Sequence, residues 1–364
     1  MKSMSESILI RADAGAEIGT GHLMRCLALA QAWIAEGGRI TFLSCCDSPA
    51  FRHRVNGEGA RFVPLRAAHP DPTDWQTTAR LLKRLQPDWL VIDGYHFGPD
   101  YQGAVRAAGV RVLAIDDLAQ WPEYHADILL NQNLDAKNLH YSRDRDTKLI
   151  LGMRYVMMRR EFLNWRGRPR RFAPVGHRLL VTMGGSDPGN VTLKVIRALD
   201  AVHLPGLEAV IVAGVSNPHY RQLLRMANPR RPWLRVERNV QNMPGLMAWA
   251  DMALTTAGGT LWELLFMGCP TMSFTRMPVQ EADYRDLEQR GVMRCLGNEL
   301  AAKPEPVAAA IRDVAHSAAV RRRMSALGRR LVDGQGAARV VRAMRRRADG
   351  SRARRGRLVQ GAER

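Results

Sequence analysis

The chain has 364 residues, of which 46% are hydrophobic and 24% charged, and a formal net charge of +19. That length supports two hydrophobic cores, and the apolar fraction excludes a disordered chain. No apolar run is long enough to span a bilayer, and Met1-Lys-Ser-Met-Ser-Glu-Ser7 lacks a signal-peptide core, so a cytoplasmic protein without integral membrane association is expected.

The first predicted strand, Ile8–Ile10, leads into Arg11-Ala-Asp13 and then Gly19-Thr-Gly21-His22-Leu-Met-Arg25, where a helix over Gly21–Glu36 begins. A strand, a glycine-rich turn and a helix in that order leave backbone N–H groups facing a ligand. Gly19 and Gly21 supply two glycines of a dinucleotide fingerprint, but Met24 occupies the third position and no Walker lysine follows. His22 falls where the positive end of the helix dipole disfavours imidazolium, so it is a candidate general base. The plainer alternative is a tight turn with His22 as a helix cap.

Further strands are predicted at Ile40–Ser44, Trp89–Asp93, Val110–Asp116 and Ile128–Asn131, with a helix at Trp75–Leu85. Strands alternating with helices argue for a parallel sheet. Asp93-Gly-Tyr95-His96 and Asn131-Gln-Asn133 follow two of these strands, at the carboxyl ends where α/β sheets meet ligands. Tyr95 is placed to touch a sugar or a water, whereas His96 reads as a loop histidine. Asp116-Asp117 reads as a turn or helix cap. The five cysteines form no Cys-x-x-Cys pair and no zinc spacing, so neither a disulfide framework nor a structural metal is expected.

Arg166-Gly-Arg-Pro-Arg-Arg171 is polar and aperiodic and reads as a linker, giving a first domain over 1–165, a linker over 166–176 and a second domain over 177–335. The alternation restarts with strands at Arg178–Met183, Ala209–Ala213, Trp233–Glu237, Met252–Thr255 and Thr271–Ser273. Helices fit at Leu193–Leu199, Pro218–Met226, Gly245–Ala250 and Leu261–Met267. The predicted architecture is α/β, with two doubly wound Rossmann-like domains facing a cleft.

Gly184-Gly185-Ser186-Asp187 follows the first of these later strands, and Gly258-Gly259-Thr260 the fourth; both are phosphate-cradling patterns. Asp187 or Asn190 capping a helix is the plainer reading of the first turn. Glu263, one turn into the helix after the second, is placed to accept hydrogen bonds from two ribose hydroxyls, or to complement the helix dipole. Val240 lies in the Asn239–Asn242 loop preceding this region and is grouped with the nucleotide site. The arginines from Arg339 to Arg357 suggest polyanion binding, but no stacking aromatics accompany them, and a solvated, disordered tail over 336–364 is the expectation.

Taken together these motifs resemble the UDP-sugar hydrolases of bacterial pseudaminic acid biosynthesis. The matching positions are Arg11-x-Asp13, Ile18-Gly-x-Gly-His22-x-x-Arg25, Asp93-x-Tyr95, Asp127-Ile-Leu-Leu-Asn131-x-Asn133, Tyr155-x-x-x-Arg159-x-Glu-Phe162, Met183-Gly-Gly-Ser-Asp187 and Gly259–Glu263. The similarity spans roughly residues 8–291. It implies a fold like that of GT-B glycosyltransferases, with UDP in the second domain and the sugar facing the first. It implies hydrolysis of UDP-2,4-diacetamido-2,4,6-trideoxy-β-L-altrose to UDP and the free sugar, with neither cofactor nor metal. Asp13, Gly19, Gly21, Arg25, Asn131, Arg159 and Gln280 are then sugar-side residues, with Asp13 or Arg25 orienting His22 or the sugar. Related proteins often carry Asn-Gln where this chain has Val279-Gln280. A UDP-sugar-dependent glycosyltransferase on the same fold, or a non-catalytic nucleotide-sugar or RNA binder, are the alternatives.

Overall fold

The computed structural model describes residues 6–15, 19–46 and 48–348. The described residues divide into two compact units, one within 1–14, 22–160 and 335–364 and the other within 15–21 and 161–334.

In the first unit seven strands form one wholly parallel sheet: β1 (Ser7–Ala12), β2 (Arg39–Ser44), β3 (Arg61–Pro64), β4 (Trp89–Asp93), β5 (Arg111–Ile115), β6 (Ile128–Asn131) and β7 (Lys148–Leu151). Their order is β3-β2-β1-β4-β5-β6-β7. The order reverses between β1 and β4, and a doubly wound sheet opens a crevice at the carboxyl ends of such a pair. Alternation along β1 sends Ile8, Ile10 and Ala12 to one core and Leu9 to the other.

The second unit holds β8 (Arg178–Thr182), β9 (Glu208–Ala213), β10 (Leu234–Arg238), β11 (Met252–Thr256), β12 (Thr271–Thr275) and β13 (Arg294–Asn298), all parallel. The order β10-β9-β8-β11-β12-β13 reverses between β8 and β11, whose ends carry the two glycine turns. Each unit therefore repeats one plan, a doubly wound parallel sheet with a single switch point.

The division differs from the sequence expectation in two places. Residues 166–176 belong to the second unit, where Arg170 donates from Nη1 to the Ala250 carbonyl at 2.5 Å and from Nη2 to that of Met247. Residues 336–348 form a helix whose Ala337, Val340, Val341, Ala343 and Met344 are buried in the core that β1 and the helix Gly21–Ala35 share. Its apolar residues recur at helical spacing between the arginines, and that stripe outweighs the charge. Of the expected tail, only 349–364 remains, outside the described residues.

Candidate active site

The helix Gly21–Ala35 presents His22 and Arg25 on one face, since residues three apart are neighbours there. Both meet Asp93, the last residue of β4 and fully buried. His22 Nδ1 lies 2.6 Å from Asp93 Oδ1. Arg25 donates to the same carboxylate through Nε at 2.7 Å and Nη2 at 2.6 Å, and through Nη1 to both oxygens of Asp117 at 2.8 and 2.9 Å. Arg25 Nη2 also lies 3.2 Å from His22 Nδ1, but the shorter contact is to the Asp93 carboxylate, which accepts from a protonated Nδ1 and so leaves Nε2 as the acceptor of the neutral ring. Although burial favours protonation of Asp93, Arg25 and then His22 hold its carboxyl far below the usual carboxylate range. Asp117 is likewise held low against its burial, chiefly by Arg25.

Tyr95 packs its ring edge-on against His22, with centroids 4.9 Å apart, and donates its hydroxyl to Asp117 Oδ2 at 3.2 Å. Burial and the neighbouring Asp117 charge push its phenol well up, so it stays protonated at neutral pH. Asn133 Nδ2 also donates to Asp117, at 2.7 Å. The result is a connected set: His22, Arg25, Asp93, Tyr95, Asp117 and Asn133.

Asp13 does not contact His22. Its carboxylate accepts from Arg11 Nη1 at 2.5 Å and Nη2 at 2.7 Å and from the Cys45 N–H at 2.6 Å, and it lies 3.2 Å from His96 Nε2. Burial opposes its ionisation, but His96, Arg11 and the Cys45 amide hold its carboxyl at about 2. Arg11 also pairs with buried Asp74, so this network braces the turn after β1. The orienting group on His22 is Asp93, which the sequence reading placed in a motif without giving it that role. Signals were present: a carboxylate ending an apolar strand, on the strand that becomes β1's neighbour.

Of the remaining first-unit positions, Asn131 is fully buried and spent on structure, donating to Tyr141 at 2.9 Å and accepting from the Asn133 N–H at 2.9 Å. Asp116 Oδ1 accepts from the N–H groups of Leu118 and Ala119, the turn cap expected of it. Arg159 is half-buried, with Nη1 3.8 Å from Met24 Sδ. In the second unit's 15–21 segment, Gly19 takes φ +68° and exchanges backbone hydrogen bonds with Gly15, while Gly21 opens the helix.

The two turns of the second unit differ from each other. Gly184 has φ +80° and Ser186 is buried, but Asp187 caps the helix Val191–Asp200, accepting from Val191 N–H at 2.8 Å and Thr192 N–H at 3.1 Å. That helix end is already satisfied by its own carboxylate. Gly258, at φ +144°, instead precedes the helix Gly259–Met267, which has no side-chain cap among the described residues. Gly258 and Gly259 are exposed, a Cβ on either would meet nothing within 4 Å, and Thr260 and Glu263 are half-buried. The open anion position is thus the 258–260 turn. Val240 is half-buried, beside Asn239 at φ +54°.

Arg276, absent from the sequence reading, follows β12 and donates from Nη2 to the Met183 carbonyl at 2.9 Å, beside the Gly184 turn. It also lies 3.5 Å from Glu299, which accepts from Thr256 at 2.6 Å. Gln280 is turned inward, its Oε1 accepting from the N–H groups of Arg276 at 3.0 Å and Met277 at 3.2 Å.

No family model matches the chain. It is 24% identical over 335 residues to the spore coat polysaccharide biosynthesis protein SpsG of Bacillus subtilis, covering 91% of this chain and 96% of that protein. It is also 24% identical over 288 residues to the UDP-2,4-diacetamido-2,4,6-trideoxy-β-L-altropyranose hydrolase of Campylobacter jejuni, covering 78% and 97%. The uncharacterized protein MJ1062 of Methanocaldococcus jannaschii matches at 24% over 287 residues; the alignment covers 77% of this chain but only 57% of that relative's length. Among solved structures, Acinetobacter baumannii MurG superposes with a TM-score of 0.60 at 14% identity, covering 94% of this chain and 99% of that one. CalG4, the calicheamicin glycosyltransferase, gives 0.59 at 16% identity, covering 98% and 100%. The fold is GT-B-like, built of two Rossmann-type units. The chain is a distant relative of a group that includes the hydrolase and SpsG. Among the described residues no helix is long and apolar enough to cross a membrane.

Proposed function

We propose that this chain hydrolyses the glycosyl–phosphate bond of UDP-2,4-diacetamido-2,4,6-trideoxy-β-L-altrose, releasing UDP and the free sugar. The observation that carries the reading is the His22–Asp93 pair at the first unit's switch point, where Nδ1 is held and Nε2 is left to accept a proton. Water gives that proton to His22 Nε2, its oxygen bonds to the anomeric carbon, and the carbon–oxygen bond to phosphate breaks with the electron pair leaving on UDP. Attack opposite the leaving group inverts the anomeric centre. Such a base contributes roughly 10²–10⁴-fold.

Tyr95, against the His22 ring, keeps hydroxyl lone pairs with which to hold the water. Gly258, Gly259 and Thr260 take the diphosphate with uncapped N–H groups, Glu263 takes the ribose, and Arg276 adds a positive charge near the leaving group. Gly184 and Gly185 contribute backbone, since the Asp187 carboxylate is occupied. The distant relationship to the Campylobacter jejuni hydrolase supports this substrate class.

The test is UDP release in ¹⁸O-labelled water without any acceptor. Label recovered on the sugar is expected; label on phosphate would refute attack at carbon. Tight UDP binding without turnover would move the assignment to a glycosyltransferase. Chelation by EDTA is expected to leave turnover unchanged, and a loss restored by added divalent ion would refute the metal-free scheme.

A further inference from the structure

Arg168–Arg171, within the segment read from sequence as a linker, line a cavity of about 330 Å³ in the second unit. The cavity lies at the other end of the sheet from the glycine turns. Arg178, which opens β8, and Asp251, which immediately precedes β11, are both on its wall. Its remaining charged lining is Arg168, Arg170, Arg171 and Arg329, with Trp165 forming a flat side under the Arg168 guanidinium at 4.5 Å.

Charge in this cavity is unbalanced. Asp251 is its one carboxylate, and it is engaged by Arg178 at 3.1 Å and by the N–H groups of His177 and Arg178 at 3.0 Å each. No carboxylate pairs with Arg168, Arg170, Arg171 or Arg329 among the described residues. Arg170 and Arg329 also cap helix ends: Arg170 holds the Met247 and Ala250 carbonyls, and Arg329 Nη2 holds that of Met267 at 3.0 Å. Those bonds use two of five donors on Arg170 and one of five on Arg329. Arg329 Nε is buried without a hydrogen-bond partner among the described residues. Burial and then the Arg170 charge push the Arg329 guanidinium down, the direction expected of like charges held together. Capping alone needs neither four guanidiniums at one cavity nor a cavity of ligand size.

We propose that this cavity is a second binding site, for a small, multiply charged phosphate compound, separate from the glycine turns. Guanidinium groups match phosphate oxygens in pairs, and an anion seated among them relieves their mutual repulsion. Trp165 and the apolar lining of Ala248 and Met267 give such a compound's uncharged part a surface to rest on.

The probe is inorganic pyrophosphate, titrated calorimetrically into the full chain at constant ionic strength. Saturable binding is expected, weakened at least tenfold in the double variant Arg170→Gln/Arg329→Gln. Because those two side chains also hold helix ends, the pair Arg168→Gln/Arg171→Gln, with exposed side chains, is measured alongside and should weaken binding at least threefold. The net charge of +19 makes diffuse attraction the main rival. A charge-matched control, Arg322→Gln/Arg330→Gln on the exposed side of the helix Ala318–Leu331, should leave affinity within twofold. No binding, binding that both cavity pairs leave intact, or equal weakening by the control pair would overturn the proposal.

Discussion

Asp93 receives donors from His22, two guanidinium nitrogens of Arg25 and the Cys26 thiol, so it is a fully engaged buried carboxylate. Replacing it by Asn keeps the shape but removes the charge and permits the wrong His22 tautomer. Asp93→Asn is therefore expected to lower kcat by about 10³-fold or more, with UDP affinity measured by calorimetry unchanged. An unchanged kcat would remove Asp93 from the mechanism. The same ionised carboxylates make stability pH-dependent. Asp13 is held at about 2, Asp93 and Asp117 also below their ordinary values. Groups lowered in the folded state stabilise above the unfolded carboxylate range near 4, and lose that contribution as pH falls through their folded values. The share of Tm owed to these carboxylates should hold between pH 7 and 5 and drop as pH falls from about 4 toward 2, with on the order of 2 kcal/mol from Asp13 alone. Asp13→Asn should be less stable at neutral pH and show a flatter acid limb in calorimetric scans; an acid limb as steep as the parent's would contradict this.

At the scale of elements, two glycines outside the phosphate motifs set how closely backbones approach. A Cβ on Gly214, just past β9, would fall on the Gly184 and Gly185 carbonyl oxygens. Gly214→Ala must displace the turn after β8, and a tenfold or greater loss of UDP affinity is expected with modest change in Tm; unchanged affinity would show the turn is not used. A Cβ on Gly336 would meet the Val156 carbonyl oxygen where the 336–348 helix starts. That helix supplies fully buried Val340, Val341 and Met344 to the first core. Met344→Ala is expected to cost about 2–5 kcal/mol in denaturant unfolding, the range for emptying a packed site. A loss below 0.5 kcal/mol would mean the helix is not part of that core. Truncation within this helix is for the same reason no clean test of the basic tail.

For the whole molecule, the first unit is discontinuous in sequence while most of the second is the continuous stretch 161–334. A 1–160 fragment lacks the 336–348 helix and should show molten behaviour, with helical circular dichroism but poor amide dispersion, until a 335–348 peptide is added. The 161–334 fragment should fold alone with dispersed resonances. A well-folded 1–160 fragment without the peptide would show the helix to be dispensable. Two successive doubly wound units were legible because central parallel strands are apolar on both faces: Trp89–Asp93 and Met252–Thr256 are buried throughout. β3, β7 and β13 are illegible as half-exposed edge strands carrying Arg, Lys or Pro, whereas the edge strand β10 shows through Leu234 and Val236 alternating with Arg235 and Glu237.

Sequence by itself determined the class of fold, the glycine turns at the strand ends and His22 at the head of its helix, because glycine conformation and apolar alternation act locally. Tertiary structure decided which carboxylate meets His22, since Asp13 and Asp93 are equivalent as strand-end acids until the pairing of β1 with β4 brings Asp93 to His22 and Arg25. It also decided that 166–176 is packed rather than a spacer, and that an arginine-rich stretch contributes Val341 and Met344 to a core. Both outcomes depend on partners far away in the chain, and a local pattern, even a helical apolar stripe, does not name the surface that buries it.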